Sequence, residues 1–263
     1  MVNIDLSGKT ALVMGVTNQR SLGWSIAQKL HQAGAELAFS YQGERLLPEL
    51  VKLTESFNKV DLISCDVTKS SDITDLFAAI SQKWDHIDYI VHSIGFAPKA
   101  AMEGRYLDTK REDWLLALEI SAYSLLAIVQ AAENFLTSGG SLVTLTYYAA
   151  EKVIPRYNVM GVAKSALEAN VRYLAYELGP RNFRVNAISA GPSRTIAARS
   201  IPGFSYMYNQ VEKVAPLQRN VTPEEIGNLG LYLLSSLSSG ITGEVIYIDA
   251  GYNIMGMDIT NIT

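Results

Sequence analysis

A doubly wound α/β fold is what this sequence predicts: one domain over residues 1–263, with about seven parallel strands and helices on both faces. Three observations carry that reading. Short apolar runs alternate with longer amphipathic ones almost from end to end. Most short runs are continuously apolar instead of alternating, as in parallel strands covered on both faces. No repeat, low-complexity segment or linker divides the 263 residues, a length that suits a single α/β core.

The strands are expected at 10–15, 36–40, 60–65, 89–92, 141–146, 184–189 and 244–248. Between them, 3.6-residue periodicity places helices at 22–33, 44–56, 71–84, 111–136, 157–179 and 222–235. Two helix starts carry capping boxes. Thr109 precedes Glu112 by three, and Thr222 precedes Glu225 with Pro223 at the first helical position. In such a sheet ligands bind beyond the carboxyl ends of the strands, where strand order reverses. The chemistry is therefore sought in the segments after strands one, four, five and six.

Composition removes several classes of function. The net charge of −4 has no basic tract behind it, so neither nucleic acid nor an anionic membrane surface is an expected partner. Apolar runs are interrupted every few residues, so no membrane-spanning helix is expected. The residues from Met1 to Lys9 lack a basic region followed by an apolar run, so a secretory signal is not expected. Cys65 is the single cysteine, which fits a reducing compartment, and its apolar neighbours mark it as a structural thiol. With three histidines and no clustered carboxylates, no metal site is expected.

After the first strand comes Gly15, then Ser21-Leu22-Gly23 at a helix start. Glycine at a strand exit permits a tight turn, and the open N–H groups of a first helical turn suit a phosphate. A plain strand–helix turn would read the same way. After strand two, Gln42 can bond an adenosine, and Glu44 would repel a ribose 2′-phosphate, which favours NADH; Arg45 could instead bind one. Asp66 and Val67 follow strand three, where a carboxylate can meet an adenine amino group or simply cap the following helix. Ser93-Ile94-Gly95-Phe96-Ala97 follows strand four, its small residues leaving room for a ribose. His92 closes that buried strand and is read as structural.

Strand five leads to Tyr147, then to Tyr157 and Lys164 behind Pro155. Seven residues at ~100° make about 700°, so both side chains share one helix face, roughly 10 Å apart along the axis. A lysine there can reach a cofactor ribose, and its charge is expected to lower the phenol pKa of Tyr157. Tyr147 lies at the mouth of the same strand, while Tyr148 is expected to pack elsewhere.

These residues carry a resemblance. The chain resembles the short-chain dehydrogenase/reductase superfamily, and within it the bacterial and plastid enoyl-acyl-carrier-protein reductases, from Leu6 to Gly251. The motifs are Gly15-x5-Ser21-Leu22, Ser93-Ile94-Gly95-Phe96-Ala97 and Tyr147-x9-Tyr157-x6-Lys164. Two more are Ala190-Gly-Pro-Ser-Arg-Thr195-Ile-Ala-Ala and Thr242-Gly-Glu-x4-Asp249-Ala-Gly251. Ordinary superfamily members use Tyr-x3-Lys, but Gly161 stands at that lysine's place.

The resemblance implies a Rossmann-type fold and transfer of hydride from NADH to the β-carbon of a trans-2-enoyl thioester, in the elongation cycle of fatty-acid synthesis. It implies that Tyr157 hydrogen-bonds the thioester oxygen as negative charge develops there, that Lys164 holds the nicotinamide ribose, and that Tyr147 lines the substrate site. Cofactor contacts are implied for Gly15, Ser21, Leu22, Gln42, Asp66, Val67, Ser93, Ile94, Gly95 and Lys164, and again for Pro192, Ser193, Thr195, Ile196 and Ala197. Substrate contacts are implied for Phe96, Ala97, Tyr147, Tyr157 and Phe204. The implied partner is an acyl-carrier protein bearing trans-2-enoyl chains, the implied assembly a homotetramer, and the location cytoplasmic (the plastid stroma in a plant).

Residues 193–216 form the longest stretch without a clear strand or helix, and the apolar Ile201, Phe204, Tyr206, Met207 and Tyr208 suit a loop that covers an acyl substrate. A short amphipathic helix closing the core is the other reading. Two other functions compete: a carbonyl reductase of the same superfamily, and a nucleotide-binding regulator without catalysis.

Overall fold

The computed structural model describes residues 4–57, 59–199, 201 and 203–256. Its framework is a seven-stranded parallel sheet of β1 (Thr10–Met14), β2 (Glu36–Tyr41), β3 (Asp61–Ser64), β4 (Ile87–His92), β5 (Leu136–Thr146), β6 (Arg184–Ala190) and β7 (Val245–Ile248). The spatial order is β3-β2-β1-β4-β5-β6-β7, so strand order reverses between β1 and β4. The inner strands β1, β4 and β6 are buried at every position, which is why they read as unbroken apolar runs.

The helices are α1 (Leu22–Gln32), α2 (Leu47–Thr54), α3 (Ser70–Ser81), α4 (Lys99–Met102), α5 (Arg111–Leu118), α6 (Ser124–Ala132), α7 (Asn158–Leu178), α8 (Ile196–Arg199), α9 (Phe204–Val214) and α10 (Pro223–Leu234). One face of the sheet packs Val13, Phe39 and Ile188 against Ile26, Leu30 and Leu233 of α1 and α10. The other packs Leu12, Ile90 and Val185 against Leu76, Leu125 and Val171 of α3, α6 and α7. Each layer thus buries its apolar stripe on one side of a shared sheet.

Four expectations need correction. The helix expected at 111–136 is broken: a π-turn over Glu119–Tyr123 separates α5 from α6, and Ser124 Oγ donates back to the Ile120 carbonyl at 2.6 Å, a bond that competes with regular helix. Thr109 does not cap α5; Lys110 is its N-cap residue, and the Thr109 hydroxyl donates to the Tyr106 carbonyl at 2.7 Å. By contrast the Thr222–Glu225 capping box forms in both directions. The 193–216 stretch is largely helical, as α8 and α9. Finally, residues 111–135 are long and apolar enough to cross a membrane by length and composition, although half of the most apolar window is buried in the fold, where α6 packs on α3 and α7.

Candidate active site

A cleft of about 540 Å³ opens along the carboxyl ends of the strands, at the point where β1 and β4 diverge in order. At its floor Gly15 has φ 81°, and a Cβ there would lie 2.1 Å from the Ser93 carbonyl oxygen. The turn after β1 therefore nests against the exit of β4 only as glycine. Ser21 does not cap α1. Its hydroxyl oxygen instead accepts from the Thr17 and Asn18 N–H groups at 3.0 and 3.2 Å, folding the loop back and leaving the helix N-terminus without a side-chain cap.

At the far end Asp66 accepts from the Thr68 N–H and hydroxyl at 3.1 and 2.8 Å. Burial raises its pKa, but these bonds, one from Gln42 and the charge of Lys69 outweigh it and hold the carboxyl below the usual range. Asp66 does not cap the following helix, whose N-cap residue is Lys69; its carboxylate closes the turn to Thr68 instead, and the residue lines the cleft. Glu44 and Arg45 are exposed in a 3-10 turn after β2, outside the cleft lining.

Nearer the middle, Lys164 is buried, and its Nζ donates to the Leu145 carbonyl at 2.7 Å. A Cβ at Gly95 would lie 3.5 Å from that nitrogen, so the glycine keeps the space beside it open. Burial lowers the Lys164 pKa to about 8, partly offset by Glu168. Tyr157 is the N-cap residue of α7, not a member of the helix, and it sits between Arg156 at φ 67° and Asn158 at φ 35°. Two left-handed non-glycine residues around one side chain mark a strained arch. Tyr157 is buried and its hydroxyl has no hydrogen-bond partner among the described residues. The expected lowering of its pKa is overturned, because desolvation pushes the phenol up and keeps it a neutral donor. The Tyr147 ring lies 5.1 Å from it, centroid to centroid.

Gly161 explains the long tyrosine–lysine spacing. A Cβ at that position would lie 2.9 Å from the Ala149 carbonyl oxygen, so α7 presses on the segment after β5 where ordinary members carry their lysine. His92 is structural: Nδ1 meets Thr144 Oγ1 at 3.0 Å, Nε2 meets Ser124 Oγ at 2.9 Å, and burial, then the charge of Lys164, lowers its pKa to about 3.

Of the residues singled out from the sequence, the cleft gathers Gly15, Ser21, Leu22, Gln42, Asp66, Val67, Ser93, Ile94, Gly95, Phe96, Ala97, Tyr147, Tyr157, Lys164, Pro192, Ser193, Thr195 and Phe204. Ile196 does not join them. It is 59% exposed, because the short α8 begins there and turns it outward, and its neighbour Ala197 has a side chain outside the described residues. Met207 and Ile201 of the loop read as a substrate cover also line the cleft, whereas sequence reasoning missed Met102 and Met160. The Tyr147 hydroxyl donates to Met207 Sδ at 3.2 Å. It also missed Ser121, whose Oγ accepts from the Phe96 N–H and donates to the Phe96 carbonyl, both at 2.9 Å. A serine pair inside an otherwise apolar helix was the signal available for it.

Residues 15–253 match the family model described as enoyl-(acyl carrier protein) reductase. The chain is 50% identical over 252 residues to the NADH enoyl-[acyl-carrier-protein] reductase 1 of Rhizobium meliloti, covering 96% of this chain and 93% of that protein. It is 45% identical to the Bacillus cereus enoyl-acyl carrier protein reductase, crystallised with NADP+ and indole naphthyridinone, with a TM-score of 0.94 over 97% of this chain and 100% of that one. The Anaplasma phagocytophilum enzyme, crystallised with NAD, is 40% identical with a TM-score of 0.93, covering 100% of this chain and 98% of its own.

Proposed function

The chain belongs to the enoyl-(acyl-carrier-protein) reductase family, and from that membership we propose how its cleft works. It is an NADH-dependent oxidoreductase that reduces the double bond of enoyl thioesters in fatty-acid synthesis. The observation that carries the site reading is the buried Tyr157 hydroxyl, free of partners among the described residues, lining the same cleft as the buried Lys164.

NADH, when bound, supplies the hydride. The donor set of the cleft suits such a molecule: the uncapped N-terminus of α1 for the pyrophosphate, Asp66 and Gln42 for the adenosine end, and Lys164 for the nicotinamide ribose hydroxyls. Ser93, Ile94, Gly95, Pro192, Ser193 and Thr195 form the walls between them. Tyr157 donates its O–H to the thioester oxygen, a bond that strengthens as negative charge gathers there. Its raised pKa keeps the proton in place as a hydrogen bond instead of releasing it to solvent. Tyr147, Phe96, Ala97 and Phe204 enclose the acyl chain. The 193–216 segment acts as a helical lid, with Met207 fastening it to Tyr147. The carrier is an acyl-carrier protein, the enzyme works in the cytoplasm as a homotetramer, and the exposed Tyr173 and Tyr176 of α7 are the apolar surface available for subunit contact.

A carbonyl reductase would need the short tyrosine–lysine spacing that the Gly161–Ala149 contact excludes. The test follows NADH absorbance with a trans-2-enoyl thioester, beside NADPH and beside a 3-oxoacyl thioester. Oxidation of NADH with the enoyl substrate only is the expected result. Activity confined to the 3-oxoacyl substrate overturns the assignment.

A further inference from the structure

One buried acid near the cleft has no role in the account above. Glu168 lies on α7 one helical turn beyond Lys164, is buried, and its Oε1 accepts a hydrogen bond from Thr146 Oγ1 at 2.6 Å. Thr146 ends β5 and adjoins Tyr147, while Leu145, one residue earlier, supplies the carbonyl that Lys164 grips. The strand exit is therefore tied to α7 twice, once through the lysine and once through the acid. Burying a carboxylate is costly unless it is paired. Glu168 forms no direct ion pair among the described residues, so its charge acts through space.

The charges facing this pair are few. Burial raises the Glu168 pKa and Glu151 after β5 raises it further, while the Thr146 hydrogen bond and then Arg172 and Lys164 on its own helix lower it. Tyr247 of β7 donates its hydroxyl to Glu151 at 2.5 Å. On the lysine's side, His92 of β4 is neutral and Tyr157 keeps its proton. Glu168 is the one group that offsets the desolvation of the lysine. We propose that Glu168 is a positioning residue: held by Thr146, its carboxylate keeps Lys164 cationic and its ammonium poised between the Leu145 carbonyl and the cleft. This rests on the reading of Lys164 as the group that holds the nicotinamide ribose.

A tie that is merely structural behaves differently, and two variants separate the cases. Glu168→Gln keeps an acceptor for Thr146 and removes the charge. Thr146→Val removes the hydrogen bond and leaves the carboxyl group in place. The Lys164 ammonium is titrated directly in the cofactor-free protein by NMR of lysine labelled at Cε, its signal assigned by its loss in Lys164→Met. In the wild type the midpoint is expected near pH 8; in Glu168→Gln it moves to lower pH, and in Thr146→Val it stays close to the wild type. NADH affinity, followed by fluorescence, weakens several-fold in Glu168→Gln at pH 8 and less at pH 6.5. An unmoved midpoint in folded Glu168→Gln overturns the proposal, as does an equal shift in Thr146→Val. If Glu168→Gln does not fold, the wild type still decides: the Lys164 signal must respond as Glu168 titrates on the acid side, and a flat signal there overturns it. A midpoint that moves in a protein that binds no NADH would keep the Glu168 role and sink the cofactor reading instead.

Discussion

Two buried cations sit at opposite ends of the same sheet, and their surroundings could hardly differ more. Arg184 opens β6 at the amino end, where its guanidinium donates to the carbonyls of Leu233, Leu234 and Ser235 at 2.7, 3.3 and 3.0 Å and to Ser238 Oγ at 2.8 Å. It thereby closes the C-terminus of α10 and favours the negative end of that helix dipole. Lys164, at the carboxyl end, has one carbonyl and otherwise faces the cleft. The same contrast holds for hydroxyls. Thr10 at the amino end meets Asp88 and His86, whereas Tyr157 meets no hydrogen-bond partner among the described residues. Polar groups that satisfy one another stabilise the fold. Polar groups left half-satisfied at the other end cost stability and wait for a ligand.

The sharpest way to break this division is Tyr157→Phe. Losing one donor to a developing oxyanion lowers turnover by about 10²–10³, while NADH affinity and the melting temperature should hold, because the native hydroxyl has no hydrogen-bond partner among the described residues. Unchanged turnover with a trans-2-enoyl thioester would remove Tyr157 from the chemistry. Arg184→Met tests the other end. Three carbonyls and a hydroxyl lose a buried donor, so chemical denaturation should show a loss of about 2–4 kcal/mol, and turnover per folded molecule should not change. A stability loss below half a kcal/mol would mean that water replaces the guanidinium and that the amino end is less sealed than argued.

Lys164→Met should act in the opposite sense on stability. The Lys164 pKa is lowered from 10.5 to about 8 on folding, so between those values the unfolded chain binds more protons and stability rises with pH. Below about pH 8 the buried charge is carried at full cost. Methionine removes that cost, and the variant should gain about 1–3 kcal/mol at pH 7, an advantage that shrinks as pH climbs toward 10.5. The same variant should lose NADH binding. In the wild type, NADH affinity should fall as pH rises through about 8. A variant that is less stable at pH 7 would show that Lys164 is a structural cation after all.

How much of this was legible beforehand depends on where each residue's partners lie. Continuous runs such as Ala11 to Met14 declare a two-sided buried strand by themselves. The start of β4 did not, because Asp88 looks wrong for a buried strand until Lys9 and Thr10 arrive from β1 at 2.9 and 3.0 Å. The strand expected at 141–146 begins earlier, at Leu136, and runs through Gly139-Gly140, where a Cβ at Gly140 would meet the Asp88 carbonyl at 2.5 Å. Helix α9 buries Phe204 and Val211 alone in eleven residues, too thin a stripe to show a period. At the site, spacing singled out Tyr157 and Lys164, but not that Tyr157 stands just before α7 rather than on its face, nor the direction of its pKa. Spacing reports that a cation is near; it does not report that the phenol is sealed from water.

His92 tests whether position or hydrogen bonding draws the line between the two ends. It stands at the carboxyl end, one residue from the cleft-lining Ser93, yet both ring nitrogens have partners. If saturation is the criterion, it belongs with Arg184. Its pKa is lowered from 6.5 to about 3, so its contribution is fully present above pH 6.5 and is lost as the pH falls toward 3. Between pH 6 and 4 it should steepen the fall in wild-type stability by about one proton, roughly 1.4 kcal/mol per pH unit, and His92→Gln should remove that excess slope. Turnover between pH 6 and 7.5 should carry no inflection from this imidazole, in either protein. An inflection near the ordinary histidine range that disappears in His92→Gln would place the ring in the chemistry and make location, not satisfied hydrogen bonding, the mark of the functional end.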